Sequence, residues 1–144
     1  MSAASRIVNG LWVGGAPPPG DYSQDWDVIV FTAEEYQPEA KLFPGVRVLH
    51  YPYDDVSPPS QRDMDTAWTA AEEVASHLRA RRRVLVTCRM GRNRSALVAA
   101  LALYIVSPAS GTDVCALVRE KRVDQTGTNA LANRSFREFL RALP

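Results

Sequence analysis

A thiol, a guanidinium and a hydroxyl on one tight turn can carry out phosphoryl transfer. The segment Cys88-Arg-Met-Gly-Arg-Asn-Arg-Ser95 offers that set in eight residues. Cys88 is the candidate nucleophile. Arg94 carries a planar fork that can hold two oxygens of a phosphoryl group. Ser95 follows with a hydroxyl able to donate to the thiolate. Gly91 lets the turn curl so that the amides of Arg89, Met90, Gly91, Arg92, Asn93 and Arg94 converge on one point. Such a reaction depends mainly on positioning and on stabilising charge.

The elements on either side decide whether those residues meet. Val84–Thr87 is continuous, apolar and β-branched, as in a strand buried on both faces. From Arg94 the chain runs through Ala96-Leu-Val-Ala-Ala-Leu-Ala-Leu-Tyr-Ile-Val106, apolar nearly all round, so the spacing predicts a central, buried helix that Ser107-Pro108 ends. A helix N-terminus presents unsatisfied N–H groups and the positive end of a dipole, which favours an anion and the thiolate of a nearby cysteine. A cysteine at a strand end is ordinarily a small core hydrophobe. Cys-x-x-Gly-x-x-Arg-Ser between a buried strand and a buried helix is far more specific than the cysteine alone.

A phosphate ester also needs an acid to protonate its leaving oxygen. The candidates are Asp54 and Asp55 in Tyr51-Pro-Tyr-Asp-Asp-Val-Ser-Pro-Pro59, a proline-stiffened loop after a strand. A solvated surface loop would use the same residue types. Residue type alone leaves both carboxylates open.

The remaining pattern frames this centre. Further strands are expected at Leu11–Gly14, Val28–Thr32 and Val46–Tyr51, separated by turn signals at Pro17-Pro-Pro-Gly20 and Phe43-Pro-Gly45. Ser60-Gln-Arg-Asp63 opens a helix like a capping box, with Met64, Ala67, Trp68, Ala71, Val74, Ala75 and Leu78 on one face. A third helix starts near Thr112, and a last one carries Phe136, Phe139, Leu140 and Leu143. The whole reads as an α/β fold, a central mixed, mostly parallel sheet flanked by helices, with residues 1–144 forming one domain.

Composition removes several alternatives. The 144 residues carry 17 basic and 16 acidic side chains for a net charge of +1, which supports neither a nucleic-acid surface nor a membrane surface. No apolar run is long enough to span a bilayer, and Met1–Arg6 lacks the apolar core of a signal peptide, so a cytoplasmic protein is expected. Of the basic residues 15 are arginine and only Lys41 and Lys121 are lysine, so an arginine counts as evidence only with positional support. With only two cysteines, Cys88 and Cys115, and no paired metal-ligand spacing, neither a disulfide scaffold nor a zinc site is expected. Cys115 lies on an apolar helical stripe and reads as core. The run Arg79, Arg81, Arg82, Arg83 falls at a helix end, where cations suit the dipole. His50 and His77 are isolated.

At these residues the sequence resembles the dual-specificity branch of the cysteine-dependent protein phosphatases. Val84–Ser95 is similar to that family's signature loop, Asn9–Gly14 to its opening strand, Tyr51–Asp55 to the segment ending in its general acid, and Asn133-Arg-Ser-Phe136 to the start of its last helix. The resemblance implies a phosphocysteine intermediate on Cys88, with no metal and no cofactor. It implies Asp55 rather than Asp54 as the acid, and then as the base that activates water. Two positions depart from the pattern. Thr87 stands where the family usually has the histidine that helps set the loop. Asn93 stands where many members have serine, and Asn-Arg-Ser also looks like members acting on RNA 5′-phosphates.

Phosphorylated protein is the expected substrate, with phosphoinositide as the alternative, because Arg89 and Arg92 add charge to the loop. One of those two is expected to point outward. The long insertions of larger tyrosine-specific enzymes are missing, so a shallow cleft is expected. A binding module without turnover would ordinarily lack the cysteine or the arginine, and both are here.

Overall fold

The computed structural model describes residues 4–123, 127 and 129–144. Five strands form one sheet: β1 (Ser5–Val8), β2 (Leu11–Gly15), β3 (Val28–Ala33), β4 (Arg47–Tyr53) and β5 (Val84–Cys88). Their order is β1-β2-β5-β3-β4, so β5 is central. Only β1 runs antiparallel to its neighbour; β2, β5, β3 and β4 pair in parallel. The mixed, mostly parallel sheet expected from the sequence is present, with β1 an addition. That strand is short and buries only Ile7, too little alternation to read from residue types.

The strands alternate between two unlike layers. Val28, Val30, Val84, Val86, Leu11 and Val13 face one side, where they meet the four helices α1 (Gln61–Arg79), α2 (Arg94–Val106), α3 (Gly111–Lys121) and α4 (Arg134–Arg141). Ile29, Phe31 and Leu85 face the other, which holds Trp12, Tyr22, Trp26, Tyr36 and Phe43. Those aromatics come largely from connecting segments, with a single 3₁₀ turn at Ala40–Leu42. The helices therefore cover one face of the sheet, and aromatic loops cover the other.

Local chemistry explains the helix ends. Ser60 and Ser110 each accept from the backbone N–H three residues on, and Asp63 and Asp113 return the bond, which makes two full capping boxes. The second places the start of α3 at Gly111, just before Thr112. In α2 every side chain from Arg94 to Leu103 is buried, so this helix is the spine of the core. Cys115 is fully buried on α3, as its apolar stripe suggested.

This topology fixes the site's location. In a parallel sheet, ligands collect beyond the carboxyl ends of the strands. Cys88 ends β5, with Gly15 beside it in β2; Phe31 in β3 pairs with Thr87. The carboxyl ends of β3 and β4 carry Glu35 and Asp55 within two residues.

Candidate active site

Six residues after Cys88 the chain re-enters regular structure at Arg94, the first residue of α2. The turn between is held from behind. Ala16 N donates to Cys88 O (2.9 Å). Arg122 Nη2 donates to Met90 O (3.1 Å) and its Nε to Gly91 O (3.0 Å). Leu131 N donates to Arg92 O (2.6 Å), and Leu97 N to Asn93 O (2.9 Å). In a trans peptide the N–H points opposite the carbonyl. Carbonyls bonded behind the turn thus send the following N–H groups to its front, which makes the cradle an anion needs.

Gly91 is required for this curl. Its φ is +66°, and a Cβ there would lie 2.3 Å from the carbonyl carbon of Gly14 and 2.7 Å from Arg122 Nη2. No side chain fits between the turn, strand β2 and Arg122. That arginine is 2% exposed and also bonds Ser5 Oγ (3.2 Å). Sequence reading missed it, because nothing in an arginine at the end of an amphipathic helix announces a carbonyl-binding role 31 residues away. Leu131, also missed, sits in the left-handed region at φ 58° while fully buried, a conformation that a branched residue keeps only when its surroundings hold it there.

At the floor of the pocket Cys88 Sγ lies 3.2 Å from Ser95 Oγ, and both are buried. Thr87 does not reach the turn. Its hydroxyl donates sideways to Val30 O (2.9 Å), while its carbonyl accepts from Thr32 Oγ1 (2.7 Å), so it ties β5 to β3.

Arg94 is 7% exposed and locked by two partners. Its Nη1 and Nη2 donate to the two carboxylate oxygens of Glu35 at 2.6 and 2.8 Å. Nη1 also lies 3.3 Å from Tyr53 O, and the Tyr53 hydroxyl donates back to Arg94 O at 2.5 Å. Nε is buried with no hydrogen-bond partner among the described residues. The hydrogen bonds from Arg94 hold the Glu35 carboxyl down at about 2, and Glu35 in turn raises the guanidinium's proton affinity. Burial, with the nearby Cys88 adding to it, pushes the Tyr53 phenol well above its ordinary value, so it remains a donor. Glu35 was not among the sequence candidates. Its position just past a buried strand beside β5 is the signal that could have found it.

The two acid candidates part company in space. Asp55 lines a cavity of about 250 Å³ together with Cys88, Arg89, Met90, Arg92, Asn93, Arg94 and Glu35. Asp54 lines a neighbouring cavity of about 770 Å³ with Glu34, Arg62 and Asp63. There its carboxylate raises the Glu34 carboxyl above the ordinary range. Asp55 is exposed but tied on both oxygens. Asn93 Nδ2 donates to Oδ2 (2.8 Å) and Asn133 Nδ2 to Oδ1 (3.0 Å). Asn133 caps α4 by accepting from Phe136 N (3.2 Å), and its own N–H donates to Asn93 Oδ1 (3.0 Å). Asn93 thus joins the turn, the acid loop and α4. Arg89 and Arg92 both line the small cavity.

Among the described residues no three His, Cys, Asp or Glu side chains group as a metal site, and no helix is long and apolar enough to cross a membrane.

Known proteins share both the sequence pattern and the fold. The family model described as Cyclin-dependent kinase inhibitor 3 (CDKN3) matches residues 40–114, just over half of the chain. The mouse (Mus musculus) protein named Cyclin-dependent kinase inhibitor 3 is 33% identical over 101 residues, 68% of this chain. The match takes in 46% of that protein, so the chain spans about half the length of this curated relative. Among solved structures, Tk-PTP in its active form superposes with a TM-score of 0.78 at 23% identity, over 96% of this chain and 93% of the other. Human DUSP28 gives 0.74 at 20% identity, over 95% and 94%. PTPMT1 in complex with PI(5)P gives 0.72 at 18% identity, over 96% and 92%. The fold is that of the cysteine phosphatases, and by the match of its central half the chain belongs to the cyclin-dependent kinase inhibitor 3 family, a dual-specificity phosphatase-like family.

Proposed function

We propose that the protein hydrolyses phosphomonoesters on proteins through a phosphocysteine intermediate. The observation that carries this reading is one small cavity bringing Cys88, Arg94 and Asp55 together, with Ser95 Oγ 3.2 Å from the thiol sulfur. The Cys88 thiolate attacks phosphorus as the bond to the leaving oxygen breaks, and Asp55 as the acid gives that oxygen its proton. Water then attacks the phosphocysteine while the Asp55 carboxylate takes its proton. The S–P bond breaks, phosphate leaves, and the Ser95 hydroxyl donates to the returning thiolate. Throughout, the loop N–H groups and Arg94 stabilise charge on the phosphoryl oxygens. Asn93 and Asn133 hold Asp55 at the mouth.

A protein substrate is favoured by the name of the mouse relative, a cyclin-dependent kinase inhibitor. A second reading, hydrolysis of a phosphoinositide, is supported by Arg89 and Arg92 both lining the cavity and by the PTPMT1 structure holding PI(5)P.

Purified protein is expected to hydrolyse p-nitrophenyl phosphate without added metal. Cys88→Ser is expected to lose at least about a thousandfold in kcat while still binding inorganic phosphate. Undiminished turnover by that variant overturns the mechanism. Phosphopeptides and soluble phosphoinositides assayed side by side decide between the two substrate classes.

A further inference from the structure

The phosphate cavity does not stand alone at the mouth of the sheet. A second cavity, about 510 Å³, shares Glu35 and Arg89 with it and is otherwise walled by Ala16, Pro17, Pro18 and Tyr36. The phosphate cavity, at about 250 Å³, is the smaller of the two, and a peptide that carries the phosphate continues beyond it along one of its flanks.

Charge distinguishes the flanks. On the Asp54 side the rim holds Glu34, Asp54 and Asp63 against a single Arg62. That side repels an acidic segment. On the other side Glu35 spends both carboxylate oxygens on Arg94, and Arg89 is exposed with no ion pair among the described residues. The walls there are also preformed. Pro17 is buried, and the Tyr36 ring meets Phe31 edge-on at 5.8 Å. A rigid apolar wall ending in an exposed guanidinium fits a short peptide stretch that carries a carboxylate beside its phosphorylated residue.

We propose that the Ala16–Arg89 cavity is a specificity site for acidic phosphopeptides, in which Arg89 binds a substrate carboxylate adjacent to the phosphoresidue while Pro18 and Tyr36 pack against the peptide. The inference rests on the loop being a phosphate site, as proposed above. It adds which phosphoproteins are accepted.

Binding to Cys88→Ser protein tests it without turnover. Fluorescence anisotropy compares phosphotyrosine peptides that differ only by Asp or Asn next to the phosphoresidue, with the change placed on each side in turn. The Asp peptide of one pair is expected to bind about fivefold more tightly at low salt, and the ratio to shrink as salt rises. Adding Arg89→Ala or Arg89→Gln is expected to bring that ratio to about one. Equal affinities in every pair overturn the proposal, as does a preference that survives both arginine substitutions. A short-chain phosphoinositide bisphosphate that binds more tightly than the Asp peptide, in an Arg89-dependent manner, overturns the choice of a peptide. Loss of p-nitrophenyl phosphate hydrolysis in the unsubstituted protein would strike the catalytic reading, and these ratios would still decide the site.

Discussion

The two halves of the phosphate cavity are built in opposite ways. The loop Cys88–Arg94 is fixed through its own backbone, with carbonyls tied by Arg122, Leu131 and Ala16 and no room for a Cβ at Gly91. The acid loop after β4 is exposed from Asp54 to Pro58 and meets the cavity through side-chain amides on Asp55. One half has a single geometry because the groups that hold it, Gly91, Arg94, Arg122 and Leu131, are buried. The other holds one carboxylate by two hydrogen bonds that water can replace. The difference suits the proposed chemistry, because an anion cradle gains from being preorganised, whereas an acid must give up and regain a proton in every cycle.

Breaking the rigid half is expected to have the largest effect. Gly91→Ala puts a methyl group 2.3 Å from backbone and strains a left-handed residue. Arg122→Met leaves two loop carbonyls without their donor. Each change is expected to cost roughly 3 kcal/mol of stability and to abolish measurable phosphate binding, because the same bonds do both jobs. Urea denaturation and phosphate titration on the same samples check this. A variant that lost phosphate binding at full stability would mean that the loop is not set from behind.

The acid loop is expected to answer differently. Asp55→Ala should reduce kcat by about a hundredfold on alkyl phosphates and much less on p-nitrophenyl phosphate, whose leaving group needs no proton. Phosphate affinity should stay within about twofold, since none of the bonds to the loop's carbonyls changes. If Asp54→Ala shows that leaving-group dependence and Asp55→Ala does not, the acid sits in the wrong cavity. Asn93 tests the seam between the halves. Asn93→Ala removes one of the two donors to Asp55 and the acceptor for Asn133 N–H. A fall of about tenfold in kcat, again larger for poor leaving groups, corresponds to about 1.4 kcal/mol of lost positioning.

What the sequence made legible follows the same division. Cys88, Gly91, Arg94 and Ser95 lie in one strand–turn–helix unit, so their spacing alone places them together. The central helix and both serine caps are local patterns too. The partners that complete the site are distant in the chain. Glu35 meets Arg94 across 59 positions, Tyr53 across 41, and Arg122 meets Gly91 across 31. No periodicity encodes such a meeting; the strand order does. The aromatic covering of the second sheet face was illegible for a related reason, because its residues sit in irregular segments without a repeat.

Glu35 gives the smallest effect and a signed one. Its folded carboxyl titrates at about 2 against an ordinary 4.5, because the two bonds from Arg94 favour the charged form. A depressed value means that the folded state binds the proton less readily than the unfolded chain. The stabilisation is therefore complete above about pH 4.5 and fades as pH falls through 2. The side chain is 47% exposed, so solvent screens the pair and only about 1 kcal/mol is expected from it. Glu35→Gln should lower stability by that amount at pH 7 and converge with the parent protein toward pH 2. Urea midpoints for both proteins between pH 7 and pH 2.5 would follow the convergence. A gap that stayed constant over that range would mean that the carboxylate supports Arg94 through shape and not through charge.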